Sequence, residues 1–533
     1  MRLPACLTRV ALAFALLVVL VPVAASNAAS PRVLRIANAE PTLGTSPLDG
    51  STSASMRVWE LMHDGLWDRD ASFQPVPWLA ESWDTSPDST MWTFHLRPGL
   101  SFSDGSSITS TDVQASFNYL TTGKLWTERL KLISSIETPD PATAVFHFTR
   151  PVPEFLDLPG ANVQFSIFSK KAIDSGADWK QPMQVYSGPY MLKEYVPKGH
   201  LTLVKNPNYW RKDLPKFDQI DWTFNEDPTA GVAAVESGAA DVYSPVPAKD
   251  VPRLRTESIV QIAEANSPGF LGYGFDRSNP MFGDQRVRTA IGLILDANER
   301  RDVCWFGTGG VLYGGYTFDW QQPWYGGVQP FNQPRADRLT QASQLLDSAG
   351  WVMGSSGVRV SQAVTGLSDG TPFQVDVPYE ANWPASECHT QLLQNWGQDV
   401  GLSFNPIRYD PGRYWSDVTD GKFSMWHAGI PAAPYAPEGL YQIFHTGGAW
   451  NSYWFRGADP EIDAMFDQLV SEPNLQRKQD LLHQIEQKLS DLQYVVSDGS
   501  QSTLVLTTGG LQGFFARSDD SSRALILSDI PSR

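Results

Sequence analysis

Apolar residues recur along this chain with two different periods. Strict alternation runs from Met91 to Leu96, where Trp92, Phe94 and Leu96 share one face, predicting a half-buried strand ended by a Pro98-Gly99 turn. Val33 to Ile36, Ala144 to Phe148, Leu201 to Val204, Gln219 to Phe224 and Asp241 to Tyr243 read as further strands. Helical spacing governs other stretches. Val58, Leu61, Met62 and Leu66 predict a helix over Met56 to Trp67, and Val113, Phe117 and Leu120 predict one behind a capping box at Thr109 and Asp112. A short helix over Thr229 to Val235 stops near Gly238. Val287, Ile291 and Leu295 form one stripe; Leu339, Ala342, Leu346 and Ala349 form another, closed by Gly350 as a C-cap. A third helical region spans Ile462 to Leu492. This mixture predicts an α/β fold with more than one sheet. No repeat of solenoid length occurs, and 533 residues exceed one hydrophobic core, so two or three domains are expected.

The N-terminus follows a different logic. Arg2 and Arg9 flank the start of the apolar run Val10 to Val21, Pro22 breaks it, and small residues fill Ala24 to Ser30. That pattern predicts a secretory signal peptide over residues 1–29, cut after Ala25 or Ala28. Cys6 precedes the apolar run, so it cannot be a lipid-bearing cysteine. A soluble protein outside the cytoplasm, not a lipoprotein, is the expectation.

Charge narrows the partners. The whole chain carries −17, and about −19 without residues 1–29, an acidic body that argues against nucleic acid and anionic lipid. Aromatics reach 12% with 19 Trp, which fits either stacking surfaces for a ligand or a Trp-rich core. Cys304 and Cys388 remain after processing; one disulfide or two buried thiols both stay open.

Catalytic motifs are absent. No Walker A, His-Glu-x-x-His, Gly-x-Ser-x-Gly or CxxC pattern occurs, and Gly307-Thr308-Gly309-Gly310 reads as a loop rather than a phosphate cradle. None of the eight histidines stands three or four residues from another, so no metal site and no cofactor is expected. Acidic pairs such as Glu226 and Asp227 keep a secreted hydrolase as an alternative of another class.

Several ordered stretches resemble the family 5 extracellular solute-binding proteins. Pro77-Trp78-Leu79-Ala80-Glu81-Ser82-Trp83 is similar to the family's P-x-L-A-E-S-W. Trp92 to Gly99 followed by Phe102-Ser103-Asp104-Gly105 is similar to its W-T-F-x-L-R-x-G…F-x-D-G. Thr111-Asp112-Val113, Ser187 to Tyr190, Asn206 to Trp210 and Asp284 to Ile291 continue in the expected order, from about residue 33 to about 490. The resemblance implies a type II periplasmic-binding-protein-like fold, two α/β lobes with a hinge plus an extra inserted domain. It places one lobe in residues 30–70, 186–275 and 500–533, the inserted domain in 71–185, and the second lobe in 276–499. It further implies a monomeric, non-enzymatic periplasmic receptor that closes over a small solute and delivers it to the transmembrane permease of an ABC importer.

By the same resemblance, peptide-binding members hold the peptide ammonium with an Asp after a Gly-Trp-like strand, here Met425 to Pro431 continuing through Tyr435. No Asp occurs there before Glu438. Dipeptide receptors carry an Arg for the carboxylate in a segment matching Val377 to Trp383, and no Arg occurs there. Both departures count against a free dipeptide, whose charged ends would be buried unpaired. The region offers Tyr379, Asn382, Trp383, Trp415, Trp426, His427 and Tyr435 as ligand contacts, and Arg408 as an anion contact, any of which could equally be structural. Such a surface suits a sugar, opine or metal-chelate as well as a peptide.

Overall fold

The computed structural model describes residues 31–41, 53–70, 74–122, 130–157, 165–176, 184–267, 269–381, 383–429, 436–448, 450–517 and 524–529. The signal segment, Asn382 and Tyr435 lie outside them.

A seven-stranded mixed sheet anchors the first body. Its central strand Val33–Asn38 runs parallel to Gln219–Phe224, in register Val33 with Gln219, and parallel to Val242–Tyr243 on its other side. The strands Val260–Asn266 and Ser502–Thr508 extend one edge and His200–Lys205 and Tyr190–Val196 the other. Beside it, an antiparallel sheet orders Ala80–Thr85, Met91–Leu96, Thr143–Phe148 and Ile133–Asp140. Alternation at Trp92, Phe94 and Leu96 buries that face, as the period of two requires. The box at Thr109 and Asp112 forms and starts the helix Ser110–Leu120.

The second body holds a parallel pair, Gln374–Glu380 with Ser403–Tyr409, joined through the helix Pro384–Gln398. It also holds an antiparallel three-stranded sheet, Met425–Gly429, Leu271–Phe275 and Val495–Gly499. Two strands of the large sheet, Val260–Asn266 and Ser502–Thr508, lead straight into Leu271–Phe275 and out of Val495–Gly499. The chain therefore passes between the bodies after Asn266 and after Gly499, and Ser267 donates its backbone N–H to the Gln501 carbonyl at 3.0 Å, which sets the two crossovers side by side.

Two expectations change. The helix expected over Met56 to Trp67 is Ser53–Met62, and Trp67–Arg69 is a strand pairing with Pro75–Pro77. Leu66 and Trp67 are fully buried, so tertiary burial continued the apolar pattern after the helix had ended. The region Ile462 to Leu492 is two helices, Pro460–Ser471 and Leu475–Leu492. Pro473 lies in the break, where it cannot donate a helical hydrogen bond, and Asn474 caps the new start. The open question of the cysteines is resolved: Cys304 and Cys388 form a disulfide joining the helices Ala297–Cys304 and Pro384–Gln398.

Candidate functional site

The carboxyl ends of the strands in the second body meet at one rim. Glu380 and Tyr409 are register partners at the end of the parallel pair. Gly429 ends Met425–Gly429 and pairs with Leu271, the first strand residue after the crossover. Ligands of α/β folds sit at the carboxyl ends of the strands, and here those ends border the crossovers through the pairing of Leu271 with Gly429 and Gly499.

Trp383 occupies that rim, half-buried, with its ring 5.4 Å from the His427 ring. Gly429 makes this approach possible, because a Cβ there would stand 2.6 Å from the Trp383 indole. Trp415, on the helix Pro411–Thr419, donates its indole N–H to Glu380 Oε2 at 3.2 Å. Tyr379 and the exposed Arg408 are register partners on the strand positions before Glu380 and Tyr409. Burial, then Glu387, raises the Tyr379 phenol.

His427 is placed differently from a free imidazole donor. It is 1% exposed, and both ring nitrogens are engaged. Its Nδ1 lies 2.6 Å from Ser386 Oγ and its Nε2 lies 2.6 Å from His389 Nδ1. His389 Nε2 continues the run to Asp498, beside which Arg300 stands at 3.4 Å. A carboxylate only accepts, so His389 donates its Nε2–H to Asp498, and the tautomer of His427 sets the direction of its bonds to His389 and Ser386. Burial, then His389 and Arg300, holds His427 well below the usual imidazole range.

Trp426 points to the opposite face. Its ring is 0% exposed, packs where a Cβ at Gly274 would come within 2.5 Å, and lies under the Arg456 guanidinium at 4.5 Å. In this conformation it is core. The structure thus gathers Trp383 with His427 and Trp415 with Glu380, and separates Trp426 from them. Sequence reasoning passed over Glu380, Ser386, His389 and Asp498. Ser386 and His389 share a helix face at i and i+3, a signal within reach, whereas Asp498 is 109 residues from His389. Among the described residues no group of three His, Cys, Asp or Glu is placed to hold a metal.

The pattern of the bacterial extracellular solute-binding proteins, family 5, matches residues 74–452. The chain belongs to that family. Members are binding proteins rather than enzymes. The first relatives, from Brucella species, are 28% identical over 387 residues, 67% of this chain, and the chain spans 65% of their length. The periplasmic oligopeptide-binding protein OppA of Escherichia coli K12 is 24% identical over 459 residues, 80% of this chain and 79% of OppA. Among solved structures, NikA from Brucella suis in complex with Fe(III)-EDTA superposes with a TM-score of 0.79 at 20% identity, covering 92% of this chain and 99% of NikA. AgaA in complex with agropinic acid, from A. tumefaciens R10, gives 0.72 at 21%, covering 94% and 99%. These likenesses establish the family 5 fold of two lobes.

Proposed function

We propose that this chain is the extracytoplasmic receptor of an ABC importer, binding one small solute at the rim between its two bodies and handing it to the permease unchanged. The observation that carries this is the rim itself: half-buried Trp383 beside Gly429, and Trp415 hydrogen-bonded to Glu380, stand at strand ends next to the crossover that leads into Leu271–Phe275. Rotation about paired crossovers closes one body on the other, and exclusion of water strengthens each polar contact to the solute. The lobes are residues 30–70, 186–275 and 500–533 against 276–499, with 71–185 as the inserted domain. Residues 1–29 act as a cleavable signal, leaving a periplasmic monomer without a lipid anchor.

Among solutes, a peptide or peptide-like molecule is the starting reading, supported by the name of OppA. A sugar, opine or metal-chelate is the second, favoured by the lack of an Asp in Met425 to Tyr435 and of an Arg in Val377 to Trp383. Mass spectrometry of what stays on the mature chain after gentle purification from an extracytoplasmic compartment separates them. A ladder of peptides is expected under the first and a single discrete mass under the second. Recovery of a chemically converted product that depends on the protein would overturn the receptor reading and revive the hydrolase.

A further inference from the structure

Gly307-Thr308-Gly309-Gly310, a plain loop by its sequence, lies against the second crossover. Gly309 has a φ of +86°, and a Cβ there would stand 2.4 Å from the Ser500 carbonyl oxygen, so only glycine lets the two backbones approach this closely. Gly310 and Ser500 bond in both directions. Ser500 N–H donates to the Gly310 carbonyl at 3.0 Å, and Gly310 N–H donates to Ser500 Oγ at 3.2 Å. Arg300 Nη2 donates to the same Gly310 carbonyl at 2.8 Å, and Leu312 N–H reaches the Asp498 carbonyl at 3.1 Å. The crossover is therefore fixed to the second body as far as Ser500. It joins the first body almost at once, because Ser502 is already in register with Asn266 in the large sheet. Gln501 alone lies between, its carbonyl accepting from Ser267 of the other crossover. Rotation of one body on the other is thus confined to a short axis through Gln501 and Ser267.

One contact spans that axis. Gly309 N–H, carried by the second body, donates to Ser502 Oγ at 2.9 Å and lies 3.4 Å from Glu264 Oε1, both of the first body. Ser502 Oγ in turn donates to Glu264 Oε1 at 2.7 Å, and Arg255 holds the other Glu264 oxygen at 2.6 Å. Arg255, Glu264 and Ser502 all belong to the first body, so the accepting end of the contact is held in place from that side.

The two bodies also touch at Lys478 and Glu154, so this arrangement is the closed one and the Gly309 contact belongs to it. Gly309 and Ser502 are half-buried. When they part, water replaces each partner, and the net strength of such a bond is small. A contact of that strength biases a two-state equilibrium without locking it. We propose that Gly309, Ser502 and Glu264 form a hinge clasp that biases the solute-free receptor toward closure. The proposal rests on the receptor reading above and names the residues that set its closure.

The test measures the distance between the bodies in the mature chain. Spin labels are placed on cysteines introduced at exposed positions, Ala239 with Gln344 in one sample and Ala239 with Gln468 in another, the native pair staying oxidised. Bound solute is removed by unfolding and refolding with the disulfide intact, and pulsed dipolar spectroscopy reads the label separations. The wild type is expected to show the separations of this structure and a second set from the open form. Ser502→Ala and Glu264→Ala should each raise the ratio of open to closed about three- to tenfold. Thr503→Ala, at the next strand position and on the opposite face of the sheet, should leave that ratio unchanged. An unchanged ratio in Ser502→Ala, or one separation common to every variant in both samples, overturns the clasp. The receptor reading does not fall with it, since a chain that retains one unconverted solute on purification is still a receptor, closed by other contacts.

Discussion

His63 and His427 are both enclosed, and each is kept neutral by the fold. His63 lies against Trp59, Phe168 and Tyr186, and burial lowers it to about 3. His427 faces Ser386, His389 and Trp383 on one side, Tyr273 at 5.2 Å, and the Arg300–Asp498 pair beyond His389. The unfolded chain takes up a proton on each ring below about pH 6.5 that the folded chain refuses. Stability is therefore full above that pH and falls as acid is added, by about 1.4 kcal/mol per pH unit for each ring, for His63 down to about pH 3. Urea midpoints between about pH 7 and pH 5, above the range where carboxylates dominate, should fall less steeply in His63→Phe than in the wild type. Equal slopes would show that His63 does not drive the acid loss.

At the level of elements, many helix starts are written locally. At Asp227, Asp410 and Asp459 an Asp is followed by Pro, and in each case the Asp carboxylate accepts from two backbone N–H groups of the helix it opens. Proline at the first helical position loses no bond there and has the required φ. This signal was available in the sequence and went unused. The disulfide is an element-level device of another kind. It ties Ala297–Cys304 to Pro384–Gln398, and these two helices also carry Arg300 and His389. Trp396 adds a bond to Glu299 at 2.7 Å across the same pair. The bridged cysteines are 84 residues apart, which in the chain-entropy view is worth about 4–5 kcal/mol. Cys388→Ser is expected to lower the unfolding free energy by an amount approaching that, seen as a lower denaturant midpoint, with the oxidised wild type matching it only after reduction. A midpoint insensitive to both treatments would mean that the helices are held by their other contacts.

Across the whole molecule, the bodies meet at a second place besides the crossovers. Lys478 Nζ lies 2.7 and 2.8 Å from the two oxygens of Glu154, Arg150 donates to the Val470 carbonyl, and Ser89 donates to the Pro473 carbonyl. Lys478 is 1% exposed, so its ammonium depends on what it meets there. Glu154→Gln removes the carboxylate that both short contacts reach and is expected to cost about 3 kcal/mol. The double change Glu154→Gln with Lys478→Met should recover most of that loss, because the ammonium that lost its carboxylate is removed with it. Urea denaturation of the three proteins checks it: a double variant as unstable as the single one would place the loss in packing instead.

The sequence by itself determined the secondary elements whose cause is local: the alternating face of Met91–Leu96, the box at Thr109, and the strand Gln219–Phe224 residue for residue. It determined the fold class as well, through ordered motifs that are mostly turns, caps and core aromatics. Period and capping act over a few residues, so one chain suffices to read them. Tertiary structure alone decided which aromatic faces the rim and which the core. Trp426 and His427 are adjacent in sequence, yet the pleat sends them to opposite sides of one strand, and only the packing of Arg456 and Gly274 on one side and Trp383 and His389 on the other says what each side is. It decided the pairing of Cys304 with Cys388 and of His389 with Asp498 for the same reason. Contacts between residues about a hundred positions apart follow from how sheets and helices stack, and no local pattern encodes that.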